Sequence, residues 1–407
     1  MTRRRIAILG AGIMGGALAI ELARRGQDVT VLDRAEAPMS SASRWNEGKI
    51  HLGYLYGADP TLATARHVLP GGLAFGPLVR DLVGTDLDGH VTRADDVYLV
   101  HRHSVCGPDE LGARFAAIDE LVRAHPDAGR YLVDVTAARS RALGAAELSA
   151  IAGPEVVAGF RVPERSVETR WLADRLAAAV AAEPGVTVHG GVEIVGAEPV
   201  GDVDGRWRVR AVAGAASVDL GPFDAVVNAL WGGRLPVDVA AGVAPEPPWT
   251  HRIRLSAFVR TRGEHQTPSA VVSIGPFGDV KNYDGRNFYL SWYPVGLVAQ
   301  GDGLELAEPA PPTGGAADAF VARVRAGLEP VLPGIGAVFD DIEDAVVAGG
   351  PVFARGAGAL DDPRSGLHRR DRFGVARRGS YHSVDTGKYS TAPWLARRLA
   401  IEITERD

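Results

Sequence analysis

Three glycines, Gly10, Gly12 and Gly15, and one acid, Asp33, have the types and spacing to hold a dinucleotide. In the run Gly10-Ala11-Gly12-Ile13-Met14-Gly15 the first glycine permits a sharp turn. The second lets backbone approach a pyrophosphate, and the third lets the following helix pack close to its strand. A helix starting there turns its amino-terminal N–H groups and positive dipole end to the phosphates, which puts Ile13 and Met14 among the expected cofactor contacts. Asp33 lies about 18 residues beyond Gly15, where a carboxylate accepts hydrogen bonds from a ribose 2′-hydroxyl and repels a 2′-phosphate; Arg34 follows it. The pattern points to NAD or FAD rather than NADP and leaves the first two open.

These residues need a particular scaffold, and the neighbouring sequence supplies it. Residues 6–9 are an apolar strand, residues 17–25 a helix with one buried face, Gly26 its stop, and residues 29–32 a second strand ending in Asp33. Behind them, residues 40–51 are too hydrophilic for a core element and too rich in donors for a spacer, the character of a functional loop.

The whole chain has 407 residues, 46% hydrophobic and 23% charged, enough for two interleaved domains with full cores. A net charge of −6 argues against a nucleic-acid partner, and the short basic runs Arg3-Arg4-Arg5 and Arg377-Arg378 read as solvated. One cysteine, Cys106, excludes an internal disulfide framework and fits a reducing compartment. The apolar run after the first arginines imitates a secretory signal, but the phosphate-binding glycines account for it. No apolar segment reaches the roughly 18 residues needed to span a bilayer, so a cytoplasmic protein without a membrane partner is expected. No cluster has metal-ligand spacing.

Further along, residues 60–82 read as two helices in tandem, interrupted at Pro70-Gly71-Gly72 and Gly76-Pro77. A strand at 96–100 and a helix at 109–124 leave the first domain. A helix at 171–182, a strand at 186–188 and an alternating strand at 206–210 precede Ala225-Val226-Val227, whose apolar character on both faces marks a return to the dinucleotide sheet. Past Pro245-Glu246-Pro247-Pro248 the strands 253–259, 270–274 and 287–293 are antiparallel in character, a wall suited to a substrate. On it Arg252 and Arg254 share a face, and Tyr289 and Tyr293 are candidates for aromatic lining. A helix at 316–328 follows, and residues 341–349 begin the return to the first domain. The expected fold is α/β: a Rossmann-like cofactor-binding domain (1–90, 155–245 and 345–407) with a mixed antiparallel-sheet substrate domain (91–154 and 246–344).

With the glycine loop, the Ser/Asn loop, the strand at Val227-Asn228-Ala229 and the segment Asp385-Thr386-Gly387-Lys388-Tyr389-Ser390-Thr391-Ala392-Pro393 all in order, the chain resembles the D-amino-acid oxidase and glycine/sarcosine oxidase family of flavoproteins over essentially its whole length. The resemblance implies FAD, with its ADP part on the first βαβ unit. Ser40, Ser43, Arg44, Asn46 and Gly48 stand where the family's flavin-contacting loop stands. Ala229 closes the adenine side, with Leu230-Trp231 in place of the usual residues, and Val192 belongs to the cofactor contacts. Gly387, Lys388, Tyr389 and Ser390 pass over the flavin pyrimidine, and the helix from Pro393 offers its amino terminus to the charge of the reduced flavin. Some relatives attach FAD through a histidine in the first polar loop or a cysteine near the carboxy terminus. Asn46 stands where that histidine would, and the sole cysteine is at 106, so FAD is expected to be noncovalent.

The same resemblance places Lys49 and Lys388 beside the flavin and the substrate carboxylate. His51, two residues past Lys49, would line the pocket or accept a proton from a substrate amine, and Tyr54 and Tyr56 would share that wall. Arg355, after Gly349-Gly350-Pro351, is a candidate carboxylate fork. The implied reaction is FAD-dependent oxidation of the C–N bond of an amino acid or carboxylate-bearing amine, by hydride transfer to flavin N5. The imine would hydrolyse, and oxygen would accept the electrons and leave as peroxide. Oxidation of a 2-hydroxy acid or polyol phosphate on the same fold is the competing reading. A flavin monooxygenase ranks lower because the carboxy-terminal segment reads Val384-Asp385-Thr386 rather than a Gly-Asp pair, and a nucleotide-binding regulator lower still.

Overall fold

A computed structural model describes residues 3–405. The first apolar run forms the strand Arg5–Leu9, which lies inside a six-stranded sheet. Across that sheet the order is Gly374–Arg378, Tyr381–Asp385, Ala225–Asn228, Arg5–Leu9, Asp28–Leu32 and Val186–His189. All neighbours are parallel except the outermost pair, Gly374–Arg378 with Tyr381–Asp385. Ile8 stands between Val227 and Val31, and burial on both faces explains why the central strands are uninterrupted apolar runs. The helix Ile13–Ala23 packs against Thr169–Ala182 and Ala392–Glu405 over one face. Gly15 lets the helix start close against the end of the first strand, since a Cβ there would lie 1.8 Å from the Gly10 carbonyl oxygen. An antiparallel meander, Val192–Val200, Arg206–Ala213 and Ala216–Phe223, flanks this unit, with Trp207 packed 5.2 Å from the Tyr381 ring.

The second unit is built on nine strands. Trp249–Thr261 is its spine: one edge pairs with Leu297–Gly301 and Asn287–Trp292, the other with Ile342–Arg355 along nearly its full length. The sheet continues through Gly278–Asn282, Ala270–Ser273, Asp96–His101, Val156–Val162 and Arg141–Ala142. Strands Val156–Val162 and Ile342–Arg355 lie at the expected boundaries near 155 and 345. Both hydrogen-bond into the large sheet, because the free edges of Asp96–His101 and Trp249–Thr261 take them as partners.

A correction concerns residues 60–82. They form one helix, Ala63–Val83, running through Pro70 and Pro77. An interior proline costs about 3 kcal/mol. Burial of Val68, Leu69, Leu73, Phe75, Val79 and Leu82 along one face offsets it, at about 1.5–3 kcal/mol for each large side chain. The glycines that looked like breaks allow close approach: a Cβ at Gly72 would sit 2.0 Å from the His51 carbonyl oxygen. Among the described residues no helix is long and apolar enough to cross a membrane.

Candidate active site

The glycine loop has the geometry its spacing requires. Gly10 adopts φ +101°, and the Asp33 carboxylate accepts the N–H groups of Ala11 (2.6 Å) and Ala35 (2.8 Å), which fixes the acid at the strand end. Val192 donates its N–H to the Asp33 carbonyl at 2.9 Å, beside the acid. At the helix amino terminus the Ser43 hydroxyl accepts the Ile13 N–H at 2.9 Å, and a Cβ on Gly12 would lie 2.9 Å from the same oxygen. An oxygen acceptor therefore already sits where a phosphate oxygen would be received, and only glycine leaves it room. Ala229 is tied to Leu9 (2.8 Å), while the Trp231 indole donates to the Pro351 carbonyl (2.7 Å) and so joins the nucleotide unit to the large sheet. Arg34 turns away to Glu308 at 2.8 Å.

The polar loop is held by its own side chains. Ser40 donates to the Ala37 carbonyl (2.6 Å), Arg44 pairs with Asp174, and Asn46 donates to the Ala42 carbonyl while accepting the Gly48 N–H, both at 2.8 Å. Gly48 takes φ +64°, and a Cβ there would meet the Val167 carbonyl oxygen at 1.9 Å. At the carboxy-terminal segment Gly387 (φ +64°) donates to Asp385 at 2.9 Å. The Tyr389 hydroxyl and Ser390 Oγ that follow are buried without partners. Buried polar groups are rarely left so, and a polar cofactor edge would satisfy them. These features fit a dinucleotide along the glycine loop with its far end at residues 387–390. Asn46 has its amide engaged within the loop and Cys106 is buried beside Arg114, so neither offers an attachment atom. Acid precipitation is expected to leave a colourless polypeptide and all flavin in the supernatant; yellow pellet would refute noncovalent binding.

Between the units lies a cavity of about 170 Å³. Of the residues singled out from sequence, Lys49, Tyr56, Arg252, Arg254, Tyr293 and Lys388 line it together. Arg252 donates to the Tyr293 hydroxyl (2.9 Å), and Arg254 lies over the Tyr293 ring (4.7 Å) while donating to Ser291 Oγ (3.1 Å). The Lys388 ammonium sits over the Tyr56 ring at 5.4 Å. Lys49 is differently placed. It pairs with Asp96 and lies 3.6 Å from Glu164, and these carboxylates, against the opposing effect of burial, hold its pKa above the ordinary lysine value. Its charge is neutralised within the protein. Lys281 reaches the same Asp96 at 2.6 Å, and burial pulls it down to about 8.

Four others stand back from the cavity. His51 is buried, and burial followed by the fields of Lys388 and Lys49 pushes its pKa well down, so it remains neutral and a weak proton acceptor. Tyr54 is buried against Asp119, Tyr289 accepts from Ser256 (3.0 Å), and Arg355 pairs with Glu246 (3.3 Å) and Asp385 (3.4 Å).

Three charged lining residues were not singled out from sequence: Glu47, Asp279 and Arg370. Glu47 stands within the polar loop, and Arg370 ends a basic pair with Arg369, the one signal that would have found it. Burial raises Glu47, but Lys388 and Arg254 outweigh it and hold the carboxyl below its usual range. Asp279, which accepts from Ser291 (2.8 Å), is raised by burial and by Glu47. Burial lowers Arg370 to about 10, which leaves it charged at neutral pH. No metal-holding cluster occurs among the described residues.

Comparison with known proteins follows the same outline. The model of a family described as FAD dependent oxidoreductase (DAO) matches residues 5–400. A stretch of 43 residues is 58% identical to the tRNA 5-methylaminomethyl-2-thiouridine biosynthesis bifunctional protein of Delftia acidovorans; it spans 11% of this chain and 7% of that protein. The fold is similar to that of glycine oxidase from Geobacillus kaustophilus, with TM-score 0.67 and 15% identity over 99% of this chain and 95% of that one. It is also similar to that of L-proline dehydrogenase from P. horikoshii, with TM-score 0.64 and 15% identity over 99% and 94%.

Proposed function

Because this chain belongs to the DAO family of FAD-dependent oxidoreductases, and is an FAD-dependent enzyme, we propose that it oxidises the C–N bond of an amino acid or carboxylate-bearing amine. The observation that carries this reading is the pairing, in one cavity, of free cations (Arg254, Lys388) with free carboxylates (Glu47, Asp279). A zwitterion needs both, whereas a hydroxy acid needs only the cations. FAD, held by the glycine loop and residues 387–390, would supply the two-electron acceptor for the departing hydride.

The protein's own residues orient and deprotonate. Arg254 and Lys388 hold the substrate carboxylate, the guanidinium through its planar fork and the ammonium as a point charge. Glu47 and Asp279 face the substrate nitrogen, and one of them takes the ammonium proton so that the nitrogen lone pair can assist departure of hydride from the adjacent carbon. Asp279, its pKa raised by burial, is suited to receive that proton. Val271, Val272, Ile274 and Phe277 form an apolar wall that limits water at the reacting carbon. The imine leaves and hydrolyses, and oxygen serves as the electron acceptor with release of peroxide.

Anaerobic bleaching of the flavin by a panel of D- and L-amino acids, N-alkyl glycines and 2-hydroxy acids tests the proposal. Bleaching by at least one amine is expected, with peroxide and carbonyl product after air is readmitted. Bleaching by hydroxy acids alone would overturn it in favour of alcohol oxidation.

A further inference from the structure

The cavity's cations outnumber its carboxylates, and they fall into two groups. Arg252, Arg254, Arg370 and Lys388 all line it, and among the described residues none of them forms a salt bridge. The Nε atoms of Arg252 and Arg254 are buried without partners. Tyr293 stands between these two arginines, its hydroxyl against Arg252 and its ring face against Arg254. Two residues apart on one strand face, their Cα atoms are about 7 Å apart.

The two ends differ in their surroundings. On the Arg254 side lie both carboxylates of the cavity wall, Glu47 in the field of Lys388 and Arg254, and Asp279 joined to Arg254 through Ser291. Beside Arg252 lies a second cation, Arg370, whose guanidinium donates to the Leu367 (3.3 Å) and Arg369 (2.8 Å) carbonyls. Asp385, whose field reaches Arg370, lies outside the cavity wall and is held by Arg355 (3.4 Å) and Arg234 (3.8 Å). Two like charges so placed, with Arg252 Nε buried without a partner, are unfavourable unless a ligand supplies the counter-charge.

We propose that Arg252 and Arg370 form a second anion subsite. The substrate would then carry, beyond the carboxylate at Arg254 and Lys388, a further anionic group, a carboxylate or a phosphate, on its side chain or nitrogen substituent. This rests on the amine-oxidation reading and narrows it to dianionic amines.

Titrating the FAD-loaded enzyme with non-oxidisable ligands, followed by perturbation of the flavin spectrum, tests the subsite without turnover. Glutarate is expected to bind at least about ten-fold more tightly than valerate, the scale of one charge-assisted contact, and 3-phosphonopropionate against butyrate reports whether phosphorus oxyanions are accepted. Arg370→Gln should bring the glutarate to valerate ratio to near one, and Arg370→Lys should restore part of it. A wild-type ratio below about two, or one that survives Arg370→Gln, would overturn the subsite. Flavin bleaching by glutamate against glutamine, and by N-carboxymethylglycine against N-methylglycine, then separates the two ideas. Equal bleaching by both members rejects the dianion and keeps amine oxidation. No bleaching by any amine, with the binding ratio intact, rejects amine oxidation and keeps the subsite.

Discussion

Arg254→Met is expected to lower kcat/KM for the amine substrate by about 30-fold or more while leaving the flavin content of the purified protein unchanged. The basis is the loss of a buried fork on a carboxylate, which removes about 2–5 kcal/mol when one partner of such a pair is truncated, with each 1.4 kcal/mol worth a decade. Methionine keeps much of the packing against Tyr293. Most of the effect should fall on KM, because the carboxylate is held in ground state and transition state alike. Equal kcat/KM in the variant and the parent would remove Arg254 from the binding role.

The second large effect concerns stability. Asp96→Asn leaves the Lys49 and Lys281 ammonium groups buried together with only Glu164 near the first. Breaking a buried pair in this way destabilises by about 3–5 kcal/mol, read as a lower urea midpoint. Lys281→Met should be milder, since Lys49, Asp96 and Glu164 remain. The fold holds Lys281 at about 8, below the ordinary 10.5, so it penalises the protonated ammonium. Between those values the unfolded chain binds the extra proton, and stability from this group rises with pH from about 8 towards 10.5. That rise should be missing in Lys281→Met. An unchanged urea midpoint for Asp96→Asn would show that the buried cluster does not contribute to stability.

What could be read from sequence follows the range of the interactions. The βαβ unit was legible because its chemistry is local: Gly10, Gly12 and Gly15 answer demands of the turn they occupy, and Asp33 closes the next strand. The cavity was half legible. Arg252 and Arg254 sit two residues apart on a strand with readable alternation, Tyr293 directly follows the strand Asn287–Trp292, and Lys49 and Lys388 were found through resemblance. That Lys49 is neutralised depends on Asp96 and Glu164, residues 47 and 115 positions away whose types alone signal nothing. Arg370 belongs to a segment without periodicity, and its place at the cavity involves a long-range tie, its N–H donating to Thr64 Oγ1 at 3.0 Å. Pro70 and Pro77 misled because their local effect on a helix is real, while the packing that overrides it comes from residues such as His51 and Thr391 that local sequence does not reveal.

The strand order of the nucleotide sheet also sets a timetable for synthesis. Tyr381–Asp385 lies beside Ala225–Asn228, which lies beside Arg5–Leu9, so neighbours in space are drawn from the two ends and the middle of the chain. A nascent polypeptide that stops short of residue 385 has one side of Ala225–Asn228 unpaired, and its large sheet waits for Ile342–Arg355 in the same way. Neither unit can finish as an independent early product, in contrast to proteins whose domains fold one after another as they emerge. The long-range pairings make assembly slow relative to chains of the same size built from local contacts. Until the last strand docks, the cofactor has no complete site to occupy, and its capture belongs to the end of the protein's making.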